Sequence, residues 1–296
     1  MGVLEMFENY IEYASNLSEL SKYANEKGIV QIYFGYLKGK YRKFFAEASH
    51  ADKAKFGIRM YRAQKEMLCS SQMLIESQIS MKNGCSIGYF FLCYYALFHA
   101  MQANLFIDTN ITNEEILQLP HSRIESYFED FYCKGSRSIM PHEIIDLFKQ
   151  LRGFREMYSY DMPFNNPTNV DINIEQLKYF IIMCFQLCNL KSHIISQIQR
   201  AVRIDSSEIR EIRTFFEGCC YKKSSVTSQL LKDVADEIYF GEIRNRGIDF
   251  VPFSISIDHL FDEYGGYDES VLKEAGFENV DKVRREAFRF YYSDIV

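Results

Sequence analysis

The chain has 296 residues with no tryptophan, 25 phenylalanines, 21 tyrosines, 5 prolines and 15 glycines, and 47% of it is apolar. This composition excludes a disordered, collagen-like or low-complexity chain, and at roughly 150 residues per domain the length suits one large domain or two small ones. With 34 Lys and Arg against 40 Asp and Glu, the net charge of -6 excludes a protein that coats polyanions with its whole surface and leaves room for a local basic patch.

Residues 1–55 are tyrosine-rich and amphipathic, with Leu4, Phe7, Ile11 and Ala14 at helical spacing and a basic stretch of Lys38, Lys40, Arg42 and Lys43 that suits a solvated helix face. They form a helical N-terminal extension. Residues 56–202 read as five helices. The first, about 59–81, carries Met67, Met73, Leu74 and Ile75 and stops at Asn83-Gly84. The second, about 86–106, is apolar almost all the way round and belongs at the centre. Pro120 precedes a third, 121–132, whose Ile124, Phe128 and Phe131 form one stripe ending at Gly135. Pro141 and Glu143 open a fourth, where a missing backbone donor costs nothing and an acid meets the positive end of the dipole. It runs through Ile144, Leu147, Phe148, Leu151 and Phe154 to Pro163, and Asn165, Asn166 and Pro167 form the loop to a fifth, about 174–201.

Residues 203–296 form a small, mostly helical C-terminal subdomain. Ser206-Ser207 caps a helix through Phe216, another is expected over 226–238, and helices at 269–275 and 281–291 finish the chain around a turn at Gly265-Gly266. Phe253, Ile255 and Ile257 alternate with serines and predict a strand. The fold class is therefore mainly α, with an antiparallel helical bundle at its centre.

The opening segment carries Glu5, Glu8, Glu12 and Glu19 where a secretion signal would need a basic and then an apolar stretch, and the eight cysteines are scattered. A reduced, cytoplasmic protein is the expectation. The apolar stretches at 87–98 and 179–190 fall short of the about 20 residues that cross a bilayer, so no membrane association is expected. Cys184, Cys188 and His193 sit at helical spacing and suit either metal ligands or buried thiols, the latter preferred. Asp258, His259, Asp262 and Glu263 suit a solvated acidic helix better than a metal-dependent nuclease, and Cys219-Cys220 suit packing. No metal or cofactor is called for.

The second helix contains Tyr94-Tyr95-Ala96-Leu97-Phe98-His99-Ala100, and the fourth ends Leu151-Arg152-Gly153-Phe154-Arg155-Glu156-Met157-Tyr158-Ser159-Tyr160. These two motifs, two helices apart and in this order, resemble the HEPN superfamily over about residues 59–201; neither flank joins the likeness. The resemblance implies a four- or five-helix bundle, frequently dimeric, in prokaryotic toxin–antitoxin and antiphage defence proteins. Active members are metal-independent ribonucleases with an arginine, four to six intervening residues, and a histidine. The histidine moves a proton at neutral pH, and the arginine holds a phosphate.

This chain departs from that motif. Counted from Arg152 the histidine position falls on Met157, Tyr158 or Ser159, and from Arg155 on Tyr160, Asp161 or Met162. An unperturbed tyrosine, with a pKa of about 10, is ionised at neutral pH only to the order of one part in a thousand. Arg137 and His142 satisfy the spacing literally, but Pro141 opens a helix between them. His99 either faces the arginines across the bundle or is satisfied inside the core. The candidate catalytic residues are accordingly Arg152, Arg155, Tyr158, Tyr160 and His99, with structural ion pairs an equal alternative for the arginines. Tyr95 of the second-helix motif and Arg284, Arg285 and Tyr291 are candidate substrate-binding residues; on the last helix, where Arg289, Phe288, Phe290 and Tyr292 also lie, arginine interleaved with aromatics suits RNA or a protein partner, although an amphipathic helix docked on the bundle is preferred. Two functions follow: an RNA-binding or RNA-cleaving component of a toxin–antitoxin or defence system, or a catalytically silent adaptor that binds an antitoxin or a defence subunit. Either is expected to form a homodimer or larger assembly.

Overall fold

A computed structural model describes residues 5–12, 15–160, 172–223, 230–257, 260 and 280–295. The chain is mainly helical: α1 (Ser18–Glu26), α2 (Val30–Glu47), α3 (His50–Lys82), α4 (Ser86–Phe106), α5 (Asn113–Leu117), α6 (His121–Phe128), α7 (Glu143–Tyr160), α8 (Ile174–Ile198), α9 (Ile209–Cys220), α10 (Val234–Arg246) and α11 (Val280–Ile295). Two short antiparallel pairs accompany them. β1 (Ala201–Val202) pairs with β4 (Ile248–Asp249), and β2 (Lys222–Lys223) with β3 (Leu230–Leu231).

The core is the antiparallel pair α3 and α4. Ser49 starts α3 by accepting a hydrogen bond from the Asp52 amide at 3.1 Å, and 33 residues later Asn83-Gly84 ends it, with Gly84 in the left-handed region at φ 72°. At about 1.5 Å per residue, α3 is on the order of 50 Å long. It lends one face to α4 and others to α8, α9 and α11. α4 is buried around most of its circumference because α3, α6, α7 and α8 all pack against it. α7 runs antiparallel to α4: Phe90 meets Phe154 and Tyr158, and Tyr94 meets Phe148, with ring centroids 5.0–5.2 Å apart. α1 and α2 lie on α8, where Gln186 Oε1 accepts from the Leu20 amide at 2.9 Å.

The boundary expected near residue 55 falls inside α3, and one apolar cluster takes in Phe7, Leu37, Leu97, Phe185, Phe216 and Tyr291. Burial thus joins all three expected segments. In the N-terminal one, Phe7–Tyr10 form only a 3-10 turn, and Leu4 and Ala14 lie outside the described residues. The strand expected at Phe253, Ile255 and Ile257 is a helical turn instead: the Pro252 carbonyl accepts from the amides of Ile255 and Ser256, both at 3.0 Å. Proline's fixed φ favours that turn, and Phe253 and Ile257 still reach the core from it. The helix expected over 226–238 starts later, at Val234, capped by Asp233, whose Oδ1 accepts from the Ala235 amide.

The end of α4 is fixed by a buried arginine. Arg59, on α3, donates to the carbonyls of Phe106, Ile111 and Asp108 and to Asn113 Oδ1, at 2.6–3.2 Å. Desolvation lowers its pKa to about 10, which leaves it charged at neutral pH. Arg59→Met is expected to cost about 3–5 kcal/mol, because it keeps the bulk and leaves buried acceptors unpaired. Urea unfolding measures this, and a loss below about 1 kcal/mol would show that the loop satisfies itself some other way.

Candidate functional site

Three elements build the site: α3, α4 and the second half of α7. On α3, Arg62 and Glu66 are one turn apart and form an ion pair, with Glu66 almost wholly buried. Across the helix interface His99 Nδ1 donates to Glu66 Oε2 at 2.5 Å. Cys69, a further turn along α3, lies near enough to the same ring to act on its charge. Burial alone would push His99 down, but the Cys69 and Glu66 contacts outweigh it and raise its pKa to about 10. Glu66 responds in the opposite sense: burial would raise it, and Arg62 and His99 together hold it below the usual carboxylate range. His99 is thus an imidazolium at neutral pH, with Nδ1 donating to Glu66.

Tyr95 stands one turn before His99, their rings 6.1 Å apart. Arg155 lies near the same residue, its guanidinium carbon 5.3 Å from the Tyr94 ring and 5.9 Å from the Tyr95 ring. Among the described residues, the ion-pair partner of Arg155 is Glu156 at 4.0 Å, and its Nε has no hydrogen-bond partner. Burial keeps the Tyr94 hydroxyl above its ordinary pKa in spite of the nearby guanidinium. Two cations, Arg155 and His99, thus lie near the half-buried Tyr95 ring.

The other candidates separate. Arg152 turns to α6, where Nη1 donates to Glu125 Oε2 at 2.6 Å; this is a structural ion pair, but with Glu125 in place of the Glu156 or Asp161 that the sequence suggests. Tyr158 is buried and stacked on Phe90 with rings 5.0 Å apart, so it is a core residue and not an accessible proton carrier. Tyr160, 77% exposed, ends α7, and the residues that follow it, 161–171, lie outside the described ones. Tyr291 is corrected as a substrate-binding residue: it is 0% exposed, packed on Phe185 and directed at Met67 Sδ. Arg284 is half-buried and Arg285 exposed, on a helix docked against α3 and α8. The last helix is amphipathic and docked, as preferred.

Arg137 and His142 part company as well: Arg137 sits over the Tyr36 ring at 4.1 Å, and His142 pairs with Glu129 at 3.0 Å. His193 is held in the core by Ser15 Oγ at 2.7 Å and Ser254 Oγ at 3.1 Å, and burial pushes its pKa down to about 4. Cys184 and Cys188 beside it are buried thiols pushed up by desolvation. Among the described residues no three His, Cys, Asp or Glu side chains group as a metal site, and no helix is long and apolar enough to cross a membrane. Asp258, His259, Asp262, Glu263 and Gly265-Gly266 lie outside the described residues.

Sequence reasoning missed Arg62, Glu66 and Cys69, whose signal is a polar stripe at i, i+4 and i+7 on an otherwise packed helix. It also read Lys40 as solvated, whereas Lys40 reaches Asp108 at 2.5 Å and is largely buried. No protein-family model matches the chain, no curated protein matches it, and no solved structure matches it.

The His99 charge has a measurable signature. Its pKa rises on folding from about 6.5 to about 10, so the stability it contributes is complete below pH 6.5 and is lost as pH climbs through 10. The unfolding free energies of wild type and His99→Gln should differ by about 3–5 kcal/mol at pH 6 and converge toward pH 10. A gap that stays constant over that range would mean the imidazole is neutral in the fold.

Proposed function

We propose that the chain is a HEPN-like component of a prokaryotic toxin–antitoxin or antiphage defence system, and that it binds single-stranded RNA on the α4–α7 face without a metal. The reading keeps the resemblance carried by the Tyr94–Ala100 and Leu151–Tyr160 motifs, and it includes self-association and an antitoxin or defence subunit as protein partner. The observation that carries it is Arg155, lying against two tyrosine rings with Glu156, at 4.0 Å, as its ion-pair partner among the described residues. A guanidinium so placed favours a phosphate, and the neighbouring Tyr95 ring favours a base. His99 supports the anion as a second fixed positive charge, though much of that charge is balanced by Glu66.

The proposal covers binding and stops short of cleavage. An imidazolium with a pKa near 10 does not take a proton from a ribose hydroxyl at neutral pH, and the buried Tyr158 does not reach one. The adaptor reading draws support from a separate observation. Met81 (60% exposed), Ile87 (43%) and Tyr160 present apolar surface at the end of the bundle where α3 turns into α4 and α7 finishes.

Fluorescence anisotropy with labelled single-stranded RNA tests the proposal. Arg155→Ala should weaken binding about tenfold, and the slope of log affinity against log salt should fall by about 0.7, the change expected when one fewer phosphate is neutralised. Equal affinities and equal slopes for wild type and variant would remove RNA from the α4–α7 face and leave the adaptor reading.

A further inference from the structure

We propose that the cavity between α3, α10 and β4 binds a free α-amino acid with a large apolar side chain. Neither α4 nor α7 lines it, so the proposal stands apart from RNA binding. The cavity measures about 300 Å³, and its walls follow from particular residues. Gly57 lies on α3 beneath β4, where an added Cβ would meet Ile248 Cγ2 at 2.4 Å, so glycine lets the strand come this close. Gly247 ends α10 at φ 89° and ψ -161°, a conformation nearly restricted to glycine, and turns the chain directly into β4. The helical turn from Pro252 supplies Phe253 and Ser256 to the wall. Between α3 and α10, Tyr61 and Tyr239 stack with ring centroids 3.7 Å apart.

The lining divides into an interior and a mouth. Met60, Ile243 and Phe253 are buried and apolar, and with the tyrosine pair they suit a side chain such as that of leucine or phenylalanine. Gln64, 7% exposed, donates through Nε2 to Ser256 Oγ at 2.5 Å, and that hydroxyl donates to the Pro252 carbonyl at 3.3 Å. These interior polar groups answer one another and call for no charge in the ligand's body. At the mouth stand three exposed charges: Glu242 and Arg246, one turn apart on α10, and Asp249 on β4. None of the three side chains has an ion-pair or hydrogen-bond partner among the described residues. Arg246 suits one carboxylate, and Glu242 and Asp249 suit one ammonium. An α-amino acid carries both beside its side chain. A phosphate-bearing ligand would meet two carboxylates against a single arginine, and a simple amine would leave Arg246 without a counter-ion. A dinucleotide is too large, because the volume is at the lower end for small-molecule sites.

Isothermal titration calorimetry on the full chain, with L-phenylalanine and L-leucine as probes, tests the proposal. At least one should bind saturably at a single site with a Kd below about 1 mM. For the tighter of the two, the analogue without the ammonium (phenylpropionate or isocaproate) and the analogue without the carboxylate (phenethylamine or isoamylamine) should each bind about tenfold more weakly. Arg246→Ala alters an exposed side chain, and its unfolding midpoint checks that the fold is intact. It should weaken the amino acid about tenfold and leave the amine analogue unweakened. Failure of both amino acids to bind by about 10 mM overturns the proposal. So does an analogue that binds as tightly as its amino acid, or an Arg246→Ala variant with wild-type affinity.

Discussion

Six charged and polar side chains buried beneath the end of α4 hold the rest of the structure in place. Arg59 gathers the carbonyls of the α4–α5 loop, and Asp108 at the centre of that loop takes Lys40 from α2 and the Tyr132 hydroxyl from the turn after α6. Lys191 from α8 donates to the same tyrosine at 2.7 Å and to Asn104 of α4. Burial would raise Asp108, but Lys40 and Lys191 keep it below the usual carboxylate range, while desolvation pushes the wholly buried Lys191 down to about 8. Charges this deep are tolerable only when each is paired, so the cluster admits one arrangement of α2, α3, α4 and α8. The last turn of α4 has carbonyls with no partner of their own, and the cluster supplies donors to two of them, those of Asn104 and Phe106. The helix that carries Tyr94, Tyr95 and His99 is thereby fixed along its length.

The two deeply placed histidines show how environment decides chemistry. His193 meets the hydroxyls of Ser15 and Ser254, burial pushes its pKa down, and the ring is neutral at pH 7. It joins the segment at Ser15, α8 and the turn at Ser254, and contributes no charge. His99 meets a carboxylate that is itself anchored by Arg62, and the ring is charged. Neither is poised near neutral pH, where a general base works best. One serves packing; the other is a fixed cation.

Much of the helical frame was legible. Asn83-Gly84, Pro120, Gly135 and Pro141 punctuate the chain close to where the helices begin and end, because each forbids or favours a backbone conformation locally. The uniform apolarity of 86–106 correctly implied a central helix. What was not legible depends on partners distant in sequence. Alternation at Phe253, Ile255 and Ile257 suits a strand edge, yet among the described residues no neighbouring strand pairs with it, and Pro252 turns it. The Glu66–His99 contact joins positions 33 apart, and Lys40–Asp108 joins positions 68 apart. Aromatic residues on the last helix read equally as a binding surface or a docked face, and only the packing of Tyr291 on Phe185 distinguishes them. Of the site, the sequence pointed to Arg155, Tyr95 and His99; the charge state of His99 is a property of α3.

Because α3 and α4 are the most extensively packed pair, and the Arg62–Glu66–His99 chain bridges them, the cations of the site have little freedom to lose when an anion arrives. Preorganisation of this kind favours binding by lowering the cost of ordering. It disfavours proton transfer, which needs a group whose two protonation states lie close in energy, and here one state is held far below the other. Recovering acid–base chemistry on this face would require loosening Glu66 from Arg62 or bringing a second base across a dimer. The first would unsettle the α3–α4 interface, since an uncompensated buried carboxylate is costly. Stability and proton transfer thus oppose each other at Glu66, and the fold has settled on the side of a fixed charge.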